Sequence, residues 1–235
     1  MNSLILKIRR ELKENSDEKT RKSSQNFFKE RITCHGVKTA IVQKISKEHF
    51  ALLKGRPKRE IFDLCEELWR SGYIEESFVA CNWSYSLRRE YEGGDFKIFE
   101  KWIGSYVSNW ASCDTLCNHT VGEFLQMYPG HLAELKKWAR STNRWLRRAA
   151  AVSLIVPAKK GKYLNDILQI ADLLLLDRDD LVQKGYGWML KAASQARQKE
   201  IYDYVIGKKS LMPRTALRYA IEKMPAALRK KAMGK

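Results

Sequence analysis

The sequence holds no run approaching the ~20 consecutive apolar residues of a membrane span, which excludes a transmembrane helix from the expected elements. Its start, Met1-Asn2-Ser3-Leu4-Ile5-Leu6-Lys7-Ile8-Arg9-Arg10, puts basic residues after a very short apolar patch, the reverse of a secretory signal. Strand-type alternation is missing too, so a sheet-based fold is not expected. No low-complexity linker divides the chain. Cysteines are few and odd in number (Cys34, Cys65, Cys81, Cys113 and Cys117), which argues against a disulfide framework and for reduced thiols in a cytoplasmic protein. Cys113, Cys117 and His119 lie close together but lack a second ligand pair at zinc-finger spacing. They read as small side chains on one helix, and neither a metal nor a cofactor is expected.

Positive charge is what the sequence has in excess. Forty-four Lys and Arg face 27 Asp and Glu, a net charge of +17, with a pI near 9.7. Solubility needs far less. Such a surplus attracts and steers polyanions, so nucleic acid is the first expected partner, ahead of an acidic protein or a membrane surface. The 235 residues are 44% hydrophobic and 11% aromatic, enough to build a core as one domain over 1–235.

Helical periodicity runs almost throughout. Leu4, Ile8 and Leu12 open it; Ile61, Leu64, Cys65 and Leu68 follow, between Pro57 and Gly72. Asp95 is expected to cap a helix carrying Ile98, Phe99, Trp102, Ile103 and Tyr106. Leu116, Val121, Phe124, Leu125 and Tyr128 read as one further stripe, ended by Pro129-Gly130, and the Arg229-Lys230-Lys231 tail reads as frayed. About a dozen short helices result, an all-α chain. Arg144-Trp145-Leu146-Arg147-Arg148-Ala149-Ala150-Ala151-Val152 lines up with Asp180-Leu181-Val182-Gln183-Lys184-Gly185-Tyr186-Gly187-Trp188, 36 positions on. Both segments bring small residues where one helix would approach the next. A repeat of ~34–47 residues made of helix pairs is the mark of an α-solenoid, and with this charge it is expected to present a concave basic cleft.

Three places stand out chemically. Trp110 and Asp114, four apart, share a face if helical; they are either a site or a core tryptophan with a capping carboxylate. Arg147-Arg148 interrupts a small, apolar helix; the alternative to a functional arginine is one that snorkels to solvent. Trp188, after Gly185-Tyr186-Gly187, is either a site residue or a core tryptophan seated beside glycines.

Taken together, these pieces resemble the AlkD-like DNA alkylation repair glycosylases, built of HEAT-like helical repeats. The resemblance rests on Asn109-Trp110-Ala111-Ser112-Cys113-Asp114, Asn143-Arg144-Trp145-Leu146-Arg147-Arg148-Ala149-Ala150, Val182-Gln183-Lys184-Gly185-Tyr186-Gly187-Trp188, and the turn Gly36-Val37-Lys38-Thr39, in order from about Phe27 to Trp188. It departs at Asn109, Ala111 and Ala40, where the family commonly has Trp, an acid and Pro. It implies that Trp110, Asp114, Arg148 and Trp188 form the active site, and that Lys38, Thr39, Arg147, Arg148 and Lys184 contact DNA. The implied activity is hydrolysis of the N-glycosidic bond of cationic alkylated purines, N3-methyladenine and N7-methylguanine, in double-stranded DNA, by a monomer associated with the nucleoid. A non-catalytic HEAT-like protein that binds branched or distorted DNA is the alternative, and a protein-binding scaffold a third.

The residue types suit that reaction. An N3- or N7-alkylated purine is already cationic and leaves neutral, so no general acid is needed, unlike at most glycosidases. One carboxylate near the developing oxocarbenium ion is the main requirement. At ~4 Å and an effective dielectric of ~20 it supplies about 4 kcal/mol of attraction. Tryptophan faces add ~0.5–2 kcal/mol each toward cationic sugar and base. An arginine holds a backbone phosphate and fixes register.

Overall fold

The computed structural model describes residues 2–234. Among them regular structure is helical; extended pairing is limited to an isolated bridge between Thr33 and Tyr73. The chain is all-α, an α-solenoid-like helical-repeat fold, and divides into two compact units, residues 1–116 and 117–235. No helix among the described residues is long and apolar enough to cross a membrane.

The first unit holds α1 (Ser3–Glu14), α2 (Glu18–Phe27), α3 (Thr39–Ala51), α4 (Lys58–Arg70), α5 (Ile74–Ser86), α6 (Asp95–Ser105) and α7 (Trp110–Thr115). Helix α1 forms because Ile5, Ile8 and Leu12 recur on one face, all buried, behind an Asn2 cap that accepts the Leu4 N–H. Full burial of such side chains contributes ~1.5–3 kcal/mol each. Helix α5 packs against α3, α4 and α7. Rings of α4 and α6 interlock edge-on, Phe62 with Phe99 at 5.9 Å and with Trp102 at 5.6 Å. Asp95 differs from its expected role. It is the first residue of α6 and not its cap, and its carboxylate instead accepts from the Glu92 N–H and the Lys58 ammonium, closing the preceding turn.

The second unit holds α8 (Gly122–Met127), α9 (Leu132–Trp138), α10 (Arg144–Val152), α11 (Ile155–Lys159), α12 (Leu164–Leu174), α13 (Asp180–Ala193), α14 (Gln198–Lys208), α15 (Arg214–Ile221) and α16 (Ala226–Met233). The stripe expected as one helix from Leu116 is broken: Leu116–Val121 is a π-helical turn, and α8 starts only at Gly122. A Cβ at Gly122 would lie 2.9 Å from the Ser153 carbonyl oxygen, so the backbone approaches there as only glycine allows. The tail expected to fray is helical instead, because Ala232 of α16 is buried and anchors it.

Helix α13 packs against α10, α11, α12 and α15. The repeated segments are α10 and α13, and each opens on an Asx cap: Asn143 accepts the Trp145 N–H at 2.8 Å, Asp179 those of Leu181 at 2.9 Å and Val182 at 3.3 Å. Their small residues do what the pattern suggests. A Cβ on Gly187 would meet Tyr219 Cβ at 2.7 Å and the Ala216 oxygen at 2.8 Å, so that glycine sets how closely α15 approaches.

Candidate functional site

In the first unit the candidate residues sit on α7 and on the turn before α3. Helix α7 is short, and its position is set by hydroxyls. Asn109 caps it by accepting the Ser112 N–H at 2.9 Å. The Ser112 hydroxyl pairs with that of Ser77, on α5, at 2.7 Å. Asp114 is buried, 8% exposed, while Trp110 at the start of the helix is half-buried. The Trp110 ring stacks on Phe28 at 5.3 Å with 29° between planes, and Phe27, 69% exposed, tilts against it at 5.7 Å.

These rings line a cavity of about 520 Å³, with Phe78, Thr39 and the buried carboxylate Glu75 also in its wall. Ile74 of its wall belongs to an apolar cluster with Ile32 and Cys34, on which Phe28, Phe78 and Ala111 pack. The turn before α3 is held from below. Glu75 accepts from three successive backbone N–H groups, His35 at 3.0 Å, Gly36 at 2.8 Å and Val37 at 3.1 Å. Gly36, at φ +87°, has no room for a side chain: a Cβ would lie 2.6 Å from that of Arg21. Lys38 and Thr39 leave this turn exposed, Lys38 as the N-cap of α3. Trp110, expected in the active site, and Thr39, expected to contact DNA, line one cavity.

In the second unit Arg148 does not snorkel. It is 5% exposed, its stem lies against Gly185, and its guanidinium donates to the Leu181 carbonyl at the start of α13. Trp188 is half-buried on α13, one turn beyond Gly185 and four residues after Lys184. Arg147 is engaged inside the protein: it pairs with Asp177 at 2.6 Å and donates to the Ser141 and Thr142 carbonyls, both at 3.0 Å. Arg144 pairs with Asp179 at 2.8 Å, so two arginines of α10 clamp the loop that starts α13. Lys184 pairs with Asp180 at 2.7 Å within its own helix. Lys38 and Thr39 are therefore more exposed than Arg147 and Lys184.

Sequence reasoning missed Phe27, Phe28, Phe78 and Glu75. The Phe27-Phe28 pair did carry a signal, two adjacent aromatics closing a polar helix with no buried residue. Glu75 carried none, since an acid in the first turn of a helix is ordinary. All five cysteines are buried and free, and no metal-ligating group of His, Cys, Asp and Glu occurs among the described residues.

The family model for the DNA alkylation repair enzymes, described as "DNA alkylation repair enzyme", matches residues 8–224. Among solved structures, the fold is similar to that of a "predicted DNA alkylation repair enzyme from Enterococcus faecalis", with a TM-score of 0.80, 15% identity, and 90% of this chain and 98% of that chain covered. Comparison with curated proteins gives no match.

Proposed function

We infer, from the premise that this chain belongs to the DNA alkylation repair enzyme family, that it is a DNA glycosylase of HEAT-like repeats which releases N3- and N7-alkylated purines from duplex DNA. The observation that carries the reading is α7, where a half-buried tryptophan stacked over an aromatic cavity and a buried carboxylate share one short helix. In the reaction the C1′–N bond breaks and its electron pair passes to the ring nitrogen, which neutralises the cationic base. Charge then lies on the sugar, where the Asp114 carboxylate opposes it and orients the water whose oxygen bonds to C1′; that water's proton passes to Asp114 and on to solvent. Trp110 offers an electron-rich face to the cationic sugar and base. Arg148, whose guanidinium is held on the Leu181 carbonyl, positions the helix that carries Trp188.

Discrimination rests on the charge of the base. The set contains no partnered acid able to protonate a neutral leaving group, so hypoxanthine, uracil and 1,N6-ethenoadenine are expected to stay in place. Duplex DNA is the partner, held through its phosphates with Lys38 and Thr39 among the contacts, and the reaction calls for neither metal nor cofactor.

The test is release of free base from methylated duplex by the native chain and by Asp114→Asn. A loss of about 4 kcal/mol in transition-state stabilisation slows release by nearly a thousandfold, with DNA binding unchanged or slightly tighter. Binding by the native chain without release of base would replace this reading with the non-catalytic one.

A further inference from the structure

We propose that the groove between α15 and α16 is a second nucleic-acid contact, taking the phosphodiester backbone of duplex DNA. The proposal rests on the glycosylase reading for the identity of the polyanion, but not for its own test. The groove encloses about 670 Å³, and Arg214, Arg218, Arg229 and Lys230 line it above an apolar wall that includes Tyr219 and Met233. The acid in its lining, Glu222, is ion-paired with Lys191 at 2.9 Å. The positive charge of the four basic residues is therefore not balanced within the groove.

Three of the four cations are arginines, whose planar forks match phosphate oxygens two at a time. Arg214 and Arg218 stand four apart on α15, one turn and a rise of about 6 Å, which suits successive phosphates of one strand. The apolar wall gives deoxyribose a surface to lie on. Helix α15 is also fixed against the helix that carries Trp188, because Gly187 admits Ala216 and Tyr219 at backbone distance. Lys191, on α13, lies 5.3 Å from the Tyr219 ring centre and holds Glu222, so the same helix orders one wall of the groove.

The experiment measures affinity for an undamaged duplex across a salt series, with the full chain. Counterion release contributes about 0.9 to the slope of log affinity against log salt for each phosphate neutralised. Arg218→Ala/Arg229→Ala is expected to make the slope shallower by about 1.8, and to weaken binding roughly 60-fold at 0.1 M salt relative to its effect near 1 M. Arg218→Lys/Arg229→Lys keeps the charge and is expected to keep the slope. Lys199→Ala/Lys208→Ala is the control of equal net charge, since those lysines are already paired with Asp203 at 2.7 Å and Asp172 at 2.9 Å; its slope should stay near the native one.

An unchanged slope in the double alanine variant overturns the proposal, and so does an equal fall in the control. Loss of slope in the lysine variant overturns it as well, since charge would then not be what binds. Thermal midpoints verify that all three variants fold. A chain that releases no base yet shows the slope change would sink the glycosylase reading and leave the groove standing.

Discussion

Helices α5 and α13 each sit at the centre of their own unit, and the balance between directed bonds and close packing differs between them. Helix α5 buries polar side chains in its first turn, and each reaches a different element. Glu75 holds the turn before α3, Glu76 pairs with Arg9 of α1 at 3.0 Å, and Ser77 bonds to Ser112 of α7. Helix α13 buries Gly185, Gly187, Ala192 and Ala193, and its neighbours come close because nothing stands in the way. Directed bonds reach out from the first turn of α5; along α13, beyond the arginine-clamped loop at its start, small residues let the neighbours close in. A hub of directed bonds fails when a bonding partner is removed, and a hub of small residues fails when atoms are added.

The largest stability effect is expected on the polar side. Glu75→Ala leaves three backbone N–H groups without their acceptor, and each buried donor left unsatisfied costs about 1–3 kcal/mol. Water in the adjoining cavity offsets part of this, so a net loss of about 3 kcal/mol is expected in urea unfolding. Amide exchange at His35, Gly36 and Val37 should accelerate along with it. A variant within about 0.5 kcal/mol of the native chain, the range of ordinary surface substitutions, would mean that Glu75 does not hold this turn.

On the glycine side the contrast lies within one helix. Gly187→Ala forces a methyl into contacts of 2.7 and 2.8 Å, an overpacking cost of ~1–3 kcal/mol against a helix-propensity gain of up to ~1 kcal/mol. A net loss of about 1–2 kcal/mol is expected. At Gly185 the nearest atom, Arg148 Cγ, stands at 3.4 Å, so Gly185→Ala should be neutral or gain up to ~1 kcal/mol. Equal denaturation midpoints for the two variants would break the steric account of α13.

The two hubs were unequally legible in the sequence, for the same physical reason. Close packing restricts residue size, and caps restrict residue type, so α10 and α13 resemble each other 36 positions apart and their register could be read directly. A directed bond needs only a suitable side chain somewhere within reach. Glu75, Glu76 and Ser77 therefore look like any helix start, and the link from Ser77 to Ser112 joins residues 35 apart with no pattern between them. Of the site candidates, Trp110 and Asp114 share a helix face by their spacing, but the resemblance, not the spacing, singled them out. The rings around Trp110 left a fainter trace: Phe27-Phe28 stands out at the end of a polar helix, but that polarity says only that the segment is exposed. Arg147 and Arg148 are neighbours in sequence, but only the structure separates a clamp on the α13 loop from a buried guanidinium beside Gly185.

The smallest expected effect uses acid to separate the two kinds of fastening. Glu66 of α4 accepts from Arg70 and Lys101 at 2.6 Å and from the Tyr106 hydroxyl at 3.0 Å. Burial pushes its carboxyl up, but the hydrogen bonds of Lys101, Tyr106 and Arg70 outweigh that and hold it below the usual carboxylate range. A carboxyl depressed in the folded state adds stability above its unfolded value, about 4.3, and loses it as pH falls through the folded value. Thermal midpoints taken from pH 7 downward should therefore show Glu66→Gln below the native chain at neutral pH, with the gap closing below about pH 4.5. The Gly187→Ala deficit, being steric, should hold constant over the same range. If the Glu66→Gln gap does not depend on pH, then the charge of Glu66 is not what joins α4 to α6. If instead the Gly187→Ala deficit titrates alongside it, the division between bonded and packed hubs fails.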